Sequence, residues 1–141
     1  MEHYRKLERM YRDSPTNEYF GTRLSVEHDR AQVSLTVRRD FHHAAGAMHG
    51  STYFKVLDDA TFFAANSTVT DVLVLTVRFE IEFLRPVASG EIRAVGELCS
   101  DDGHRIVVEG TLFDDQERLV GKGKGFFARS RIALDSVDLY R

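Results

Sequence analysis

Between Ser51 and Asn66 the chain runs for sixteen residues without Gly or Pro, and Tyr53, Phe54, Val56, Leu57, Phe62, Phe63, Ala64 and Ala65 leave it almost no polar face. A run of this length reads as a helix, and a helix that is apolar nearly all round has to be buried on most of its sides. The remainder of the chain has to wrap it. Downstream, Leu73, Leu75, Val77, Phe79, Ile81 and Phe83 alternate with Val74, Thr76, Arg78, Glu80 and Glu82 in a strand that ends before Pro86. Ile92 to Cys99, Arg105 to Phe113 and Leu119 to Arg129 follow as strands, separated by turn clusters at Ala88-Ser89-Gly90, Asp101-Asp102-Gly103 and Asp114-Asp115-Gln116.

Upstream, Tyr19 to Val26 and Arg30 to Arg38 read as a hairpin over Glu27-His28-Asp29. Before it, Tyr4, Leu7, Met10 and Tyr11 mark a short amphipathic helix over 2–13, stopped by Ser14-Pro15 and packed on the domain as a lid or strap. A meander of strands and one apolar helix satisfy each other when a curved antiparallel sheet wraps the helix. The expected fold is therefore α+β, with a central helix at about 50–66 and an extra N-terminal helix. Gly121, Gly123 and Gly125 bare one face of the last strand, so something is expected close against its backbone.

A chain of 141 residues has room for one domain, expected to span 1–141. A formal net charge of −3 gives no general attraction to phosphate backbones or anionic lipid, so neither nucleic acid nor membrane is an expected partner. Cys99 is the only cysteine, which excludes an intramolecular disulfide, and it is expected to be a small buried hydrophobe. No apolar run resembles a leader or a membrane span, and the expected location is the cytoplasm.

Asp58 and Asp59 stand out inside so apolar a helix, where an acid is costly to bury. Lys55, four residues before Asp59, accounts for that acid as a surface ion pair. Asp58 shares a stripe with Phe54, Leu57, Thr61, Phe62 and Ala65, which makes it either a base or nucleophile of raised pKa or a structural carboxylate bonded to a neighbouring strand. At the other end, His49-Gly50-Ser51-Thr52 opens the helix, where free N–H groups and the helix dipole suit a developing oxyanion. Gly50 lets a carbonyl approach the backbone; the ordinary alternative is an N-cap by the Ser51 or Thr52 oxygen. His42, His43 and His49 match no familiar metal-ligand spacing, so no metal is expected. Ser51 lacks the glycine of a nucleophile elbow.

These residues resemble the hot-dog-fold acyl-CoA thioesterases of the phenylacetate-degradation and four-hydroxybenzoyl-CoA type, from about Phe20 to Arg129. The most specific part is Gly46, then His49-Gly50, then an acid nine residues after that histidine, Asp58; Phe83-Leu84-Arg85-Pro86 is similar to the end of the family's third strand. The resemblance implies that the Gly50 N–H binds the thioester oxygen, that Asp58 is the catalytic carboxylate, and that Thr76 falls where some members orient water with a serine. Two departures bear on substrate and rate: His43 stands where many members have asparagine, and Ser51 where another glycine is usual.

Gly50 and Asp58 are eight residues apart on one helix, about 12 Å at the standard rise, too far to serve one carbonyl. A two-fold homodimer with antiparallel central helices would bring Gly50 of one chain towards Asp58 of the other. The family resemblance also implies paired subunits, often a dimer of dimers. The expected activity is hydrolysis of an acyl-CoA, or of an acyl-carrier-protein thioester, with no cofactor beyond the CoA of the substrate. Phe54 and Phe62, with Tyr53 and Phe63, are candidates to line the acyl pocket. Arg85, Lys122, Lys124, Arg129 and Arg131 are candidates for the nucleotide. The rival functions are a non-catalytic acyl-CoA sensor and a hot-dog dehydratase or hydratase using His49 and Asp58.

Overall fold

The apolar run forms α3, Gly50–Ser67, and its surroundings explain its composition: Val56, Leu57, Ala60, Ala64 and Ala65 are fully enclosed by the sheet that curves around it. The computed structural model describes residues 1–141. Before α3 come α1 (Glu2–Asp13), α2 (Pro15–Phe20), β1 (Arg23–Glu27) and β2 (Arg30–Thr36); after it come β3 (Val72–Phe83), β4 (Glu91–Asp101), β5 (Ile106–Phe113) and β6 (Leu119–Ala133). The six strands make one antiparallel sheet in the order β1-β2-β4-β5-β6-β3, which leaves β1 and β3 as its edges.

A transverse row of small residues lets helix and sheet touch. Ala31 pairs with Gly96, Gly96 with Gly110, and Gly110 with Gly123, across β2, β4, β5 and β6. A Cβ on Gly96 would stand 2.4 Å from the Ala60 carbonyl oxygen, and one on Gly110 would meet Thr61 and Leu57 at 3.0 and 3.1 Å. Along β6, Tyr53 sits over Gly121, the Phe79 ring over Gly123, and Phe127 with Thr61 over Gly125. The close approach expected at this strand is thus made by side chains of α3 and of the strands themselves.

Several expectations are corrected. Tyr19 to Val26 is not one strand: Pro15 opens α2, Gly21 closes it at φ 71°, and β1 begins only at Arg23. Proline is suited to a first helical turn and glycine to a left-handed C-cap, and this punctuation outweighs the aromatic content of Tyr19-Phe20. The alternating apolar set of β3 does not face the core as a whole: Val74, from the other set, is fully buried, whereas Leu75 and Val77 are 46% and 48% exposed. A register irregularity between Thr76 and Arg78 turns the strand there, and an edge strand has no neighbour to cover it. Cys99 is exposed rather than buried, because it falls at the bulge between Leu98 and Ser100 of β4.

α1 buries His3, Leu7, Met10 and Tyr11. The His3 ring donates through Nε2 to the Asn66 carbonyl at 2.8 Å, so its Nδ1 accepts from the Tyr140 hydroxyl at 2.6 Å. Both ends of the chain are thereby tied to the C-terminal turn of α3.

Gly96→Ala should destabilise the fold by about 3 kcal/mol, because the new Cβ collides with helix backbone that cannot swing aside. Gly103→Ala, at φ +86° with nothing near its Cβ, should lose only about 1 kcal/mol of backbone strain. Chemical denaturation of the two variants checks the contrast.

Candidate active site

The entrance of α3 is capped in an unexpected way. Neither Ser51 nor Thr52 supplies the cap oxygen; the His49 ring does the capping, its Nδ1 accepting the Ser51 N–H at 3.0 Å. An Nδ1 that accepts an N–H carries no proton, so the Ser51 hydroxyl, 2.9 Å away, also donates to it and the neutral ring holds its hydrogen on Nε2. The Thr52 N–H goes to the His49 carbonyl at 3.0 Å. The Gly50 N–H has no acceptor in the chain, and it points from the positive end of an 18-residue helix.

A cleft of about 350 Å³ opens at this point, lined among others by His43, Met48, Gly50, Tyr53, Phe83 and Arg85. Gly46, at φ +83°, makes the tight turn of the preceding loop, its N–H bonded to the His43 carbonyl at 3.0 Å. That turn places His43 beside Gly50. The Phe83 ring stands 3.1 Å from where a Gly50 Cβ would be, so glycine here makes room for an aromatic wall as well as baring the N–H. Arg85 fixes this wall through its carbonyl, which accepts from the Tyr53 hydroxyl at 2.7 Å.

Asp58 lies two turns further along α3, in a different cleft of about 460 Å³. Part of its wall is apolar, with Phe62 and Phe63 from α3, Leu73 and Leu75 from β3, Met10 from α1, and Val137 and Leu139 from the C-terminal tail; Asn17, Lys55 and Asp59 are among its polar lining. The Thr76 hydroxyl donates to Asp58 Oδ1 at 2.9 Å. Burial pushes the carboxyl up to about 6, against the pull of the Thr76 hydrogen bond, with Asp59 adding to the rise and Lys55 opposing it. A carboxyl so placed exchanges its proton near neutrality.

Asp59 is not half of a surface ion pair. Its Oδ2 takes the Lys55 ammonium at 2.8 Å with both side chains some 85% enclosed (exposure 16% and 15%), and the Tyr11 hydroxyl donates to the same oxygen at 2.5 Å. Burial raises this carboxyl, with Lys55 and Tyr11 pulling it back. The spacing of Lys55 and Asp59 was legible; their enclosure depends on α1, which no local pattern near residue 55 reveals. Phe54 lines neither cleft and is 40% exposed, edge-on to Phe79 at 5.2 Å. Arg129 is committed to Asp101 at 2.7 Å, and Lys122 and Lys124 lie in a groove with Glu80, Glu82 and Glu109. Within one chain, then, Gly50, His43 and Arg85 come together, as do Asp58, Thr76 and Phe62, and the two groups stay apart.

The sequence profile of the thioesterase superfamily matches residues 45–121, the stretch that holds the α3 residues of both clefts. The PaaI protein from the phenylacetic acid degradation operon of E. coli superposes with a TM-score of 0.85 at 21% identity, over 94% of this chain and 96% of that one. Conserved protein PA5202 from Pseudomonas aeruginosa gives 0.80 at 28% identity, over 86% and 98%. Thioesterase HI1161 from Haemophilus influenzae gives 0.80 at 15% identity, over 89% and 88%. No curated protein matches the chain in sequence.

Because Asp58 titrates higher in the folded chain than its ordinary 3.8, the stability associated with its neutral form is fully present below that value and is lost as pH rises through about 6. Asp58→Asn, neutral throughout, should therefore be more stable than the native chain by about 3 kcal/mol at pH 7.5, with the difference gone by about pH 3. Thermal melts across that range check it.

Proposed function

The chain is a hot-dog member of the thioesterase superfamily, and within it we propose an acyl-CoA thioesterase whose carboxylate is Asp58 and whose oxyanion donor is the Gly50 N–H. The observation that carries this reading is the pairing of an unclaimed N–H at a helix N-terminus with a carboxyl that burial holds near neutrality. Thioester hydrolysis needs these two functions and no more. The Gly50 N–H takes the charge that develops on the carbonyl oxygen; ionised Asp58, oriented by Thr76, attacks the carbonyl carbon or takes a proton from the water that does. On the general-base route the C–S bond then breaks to release the acid, and the thiolate leaves with the proton that Asp58 took from the water. On the nucleophilic route it breaks to leave an acyl–Asp58 anhydride and a thiolate protonated from solvent, and a water then hydrolyses the anhydride to the free acid and regenerates Asp58. His43 sits where a hydrogen bond to the carbonyl or water is in reach of the Gly50 cleft, and Arg85 offers a cation there to the CoA phosphates.

Two equivalent sites arise if the protein is a two-fold homodimer, further paired as a dimer of dimers. The separation of the clefts along α3 supports this, and so does β3: it is a free edge of twelve residues with Leu75 and Val77 in solvent, close in sequence to Thr76. Antiparallel packing of two copies along that edge carries one α3 past the other in the sense that brings Gly50 to Asp58.

Free-thiol release from a panel of acyl-CoAs tests the assignment. Asp58→Asn should lose about 10³-fold in kcat, and release unaffected by it would sink the proposal. Gly50→Pro removes the N–H at a first helical position that accepts proline, and should lose at least about 10²-fold relative to Gly50→Ala, which brings the same Cβ against Phe83 but keeps the N–H. Mixing the two inactive variants should restore about a quarter of native activity, since half of randomly formed dimers are mixed and each has one intact site. Native kcat/KM should rise with pH through about 6 and then level, as Asp58 ionises. Acyl-CoA binding without thiol release would point to a sensor, and hydration of an enoyl-CoA without it to a hydratase.

A further inference from the structure

Lys55 has two acids within reach on its own helix, Asp58 three residues on and Asp59 four residues on. It takes Asp59. Its ammonium is also held by the Asn17 Oδ1 at 2.5 Å and lies over the Tyr11 and Phe20 rings, 5.5 and 5.3 Å from their centres. Asn17 is itself buried and fixed, its amide donating to the Tyr11 carbonyl at 2.8 Å. Three elements therefore converge on one cation: α1 through Tyr11, α2 through Asn17 and Phe20, and α3 through Asp59 and Lys55 itself.

We propose that Asp59 is a positioning residue for Asp58: together with Asn17, Tyr11 and Phe20 it holds the Lys55 ammonium aside, so that Asp58 keeps the neutral Thr76 hydroxyl as its only side-chain partner. The N-terminal helices thereby belong to the catalytic device and are more than a cover for the core. The titratable groups that line the cleft are Asp58, Asp59 and Lys55 from α3 and Tyr11 from α1; β3 adds only the Thr76 hydroxyl and the tail only apolar side chains. Lys55 is thus the one cation able to pair with Asp58 from any wall. An Asp58 paired with it would stay ionised to lower pH and be a weaker base and nucleophile, since basicity falls with pKa. The proposal rests on the thioesterase reading for its consequence in rate, but not for the placement of the cation.

Asp59→Asn keeps the shape and the acceptor for Tyr11 while removing the charge that retains Lys55. The titration of Asp58 is read directly by ¹³C NMR of labelled aspartate carboxyls, assigned by the resonance lost in Asp58→Asn. Loss of the Asp59 charge by itself lowers the Asp58 midpoint, so the repositioned cation is read from a cycle: Lys55→Met should raise the Asp58 midpoint by about one pH unit more in the Asp59→Asn background than in the native one. Asn17→Ala, which removes one anchor only, should lower the midpoint by less and serves if Asp59→Asn does not fold. With acyl-CoA, the acid limb of kcat/KM should move with the NMR midpoint and the plateau kcat should fall several-fold at little changed KM. A Lys55→Met shift of equal size in the native and Asp59→Asn backgrounds, or an unmoved midpoint in Asp59→Asn, overturns the proposal. Absence of thiol release from the native chain would overturn the thioesterase reading alone, because the NMR midpoints report the position of the cation without turnover.

Discussion

The architecture depends on contact between the backbone of α3 and the backbone of the sheet. Gly96 leaves a space of one methyl group, and the Ala60 carbonyl fills it. With Ala31, Gly110 and Gly123 in the same transverse row, the helix is seated in a shallow trough and cannot roll without driving its own main chain into the strands. Rolling by one residue, about 100°, would carry Asp58 away from Thr76 and Gly50 away from Phe83. The positions of Gly50 and Asp58 in their two clefts therefore follow from where side chains are missing.

On that seat the helix is used at its positive end and at its middle. At its start the His49 ring and carbonyl take up the Ser51 and Thr52 N–H groups and leave Gly50 as the open donor, so the dipole is concentrated on one group. Two turns on, apolar walls withhold solvent from Asp58 while a hydroxyl, not a cation, holds it. These are opposite treatments of polarity within one helix: a positive pole bared to a cleft, and a negative group kept reluctant to ionise.

Much of this could be read from the chain. The apolar sixteen-residue run free of Gly and Pro that becomes most of α3, the four strands after it, Gly50 and Asp58 are all marked by local pattern, because periodicity and turn residues act between near neighbours. What escaped is non-local. The Gly96, Gly110 and Gly123 row is invisible along the chain since its members meet only through register, and the visible alternation of Gly121, Gly123 and Gly125 runs along the strand. Lys55 and Asp59 advertise themselves as a pair, but their enclosure is decided by Tyr11 and Asn17, some forty residues earlier. α2 was hidden by two aromatic residues that looked like a strand, although Pro15 and Gly21 bracket it. The exposure of Leu75 and Val77 follows from β3 being last in the sheet order, which alternation alone does not state.

The free side of β3 offers hydrogen bonds to any extended strand, but its charges are selective. Arg78, Glu80 and Glu82 are all exposed, and Arg78 already leans on Glu80 at 2.8 Å. An antiparallel copy centred on Phe79 sets Arg78 of each chain opposite Glu80 of the other, whereas a parallel, in-register copy stacks arginine on arginine and glutamate on glutamate. Three side chains thus admit a finite, two-fold partner and repel the endless stacking from which fibrils grow.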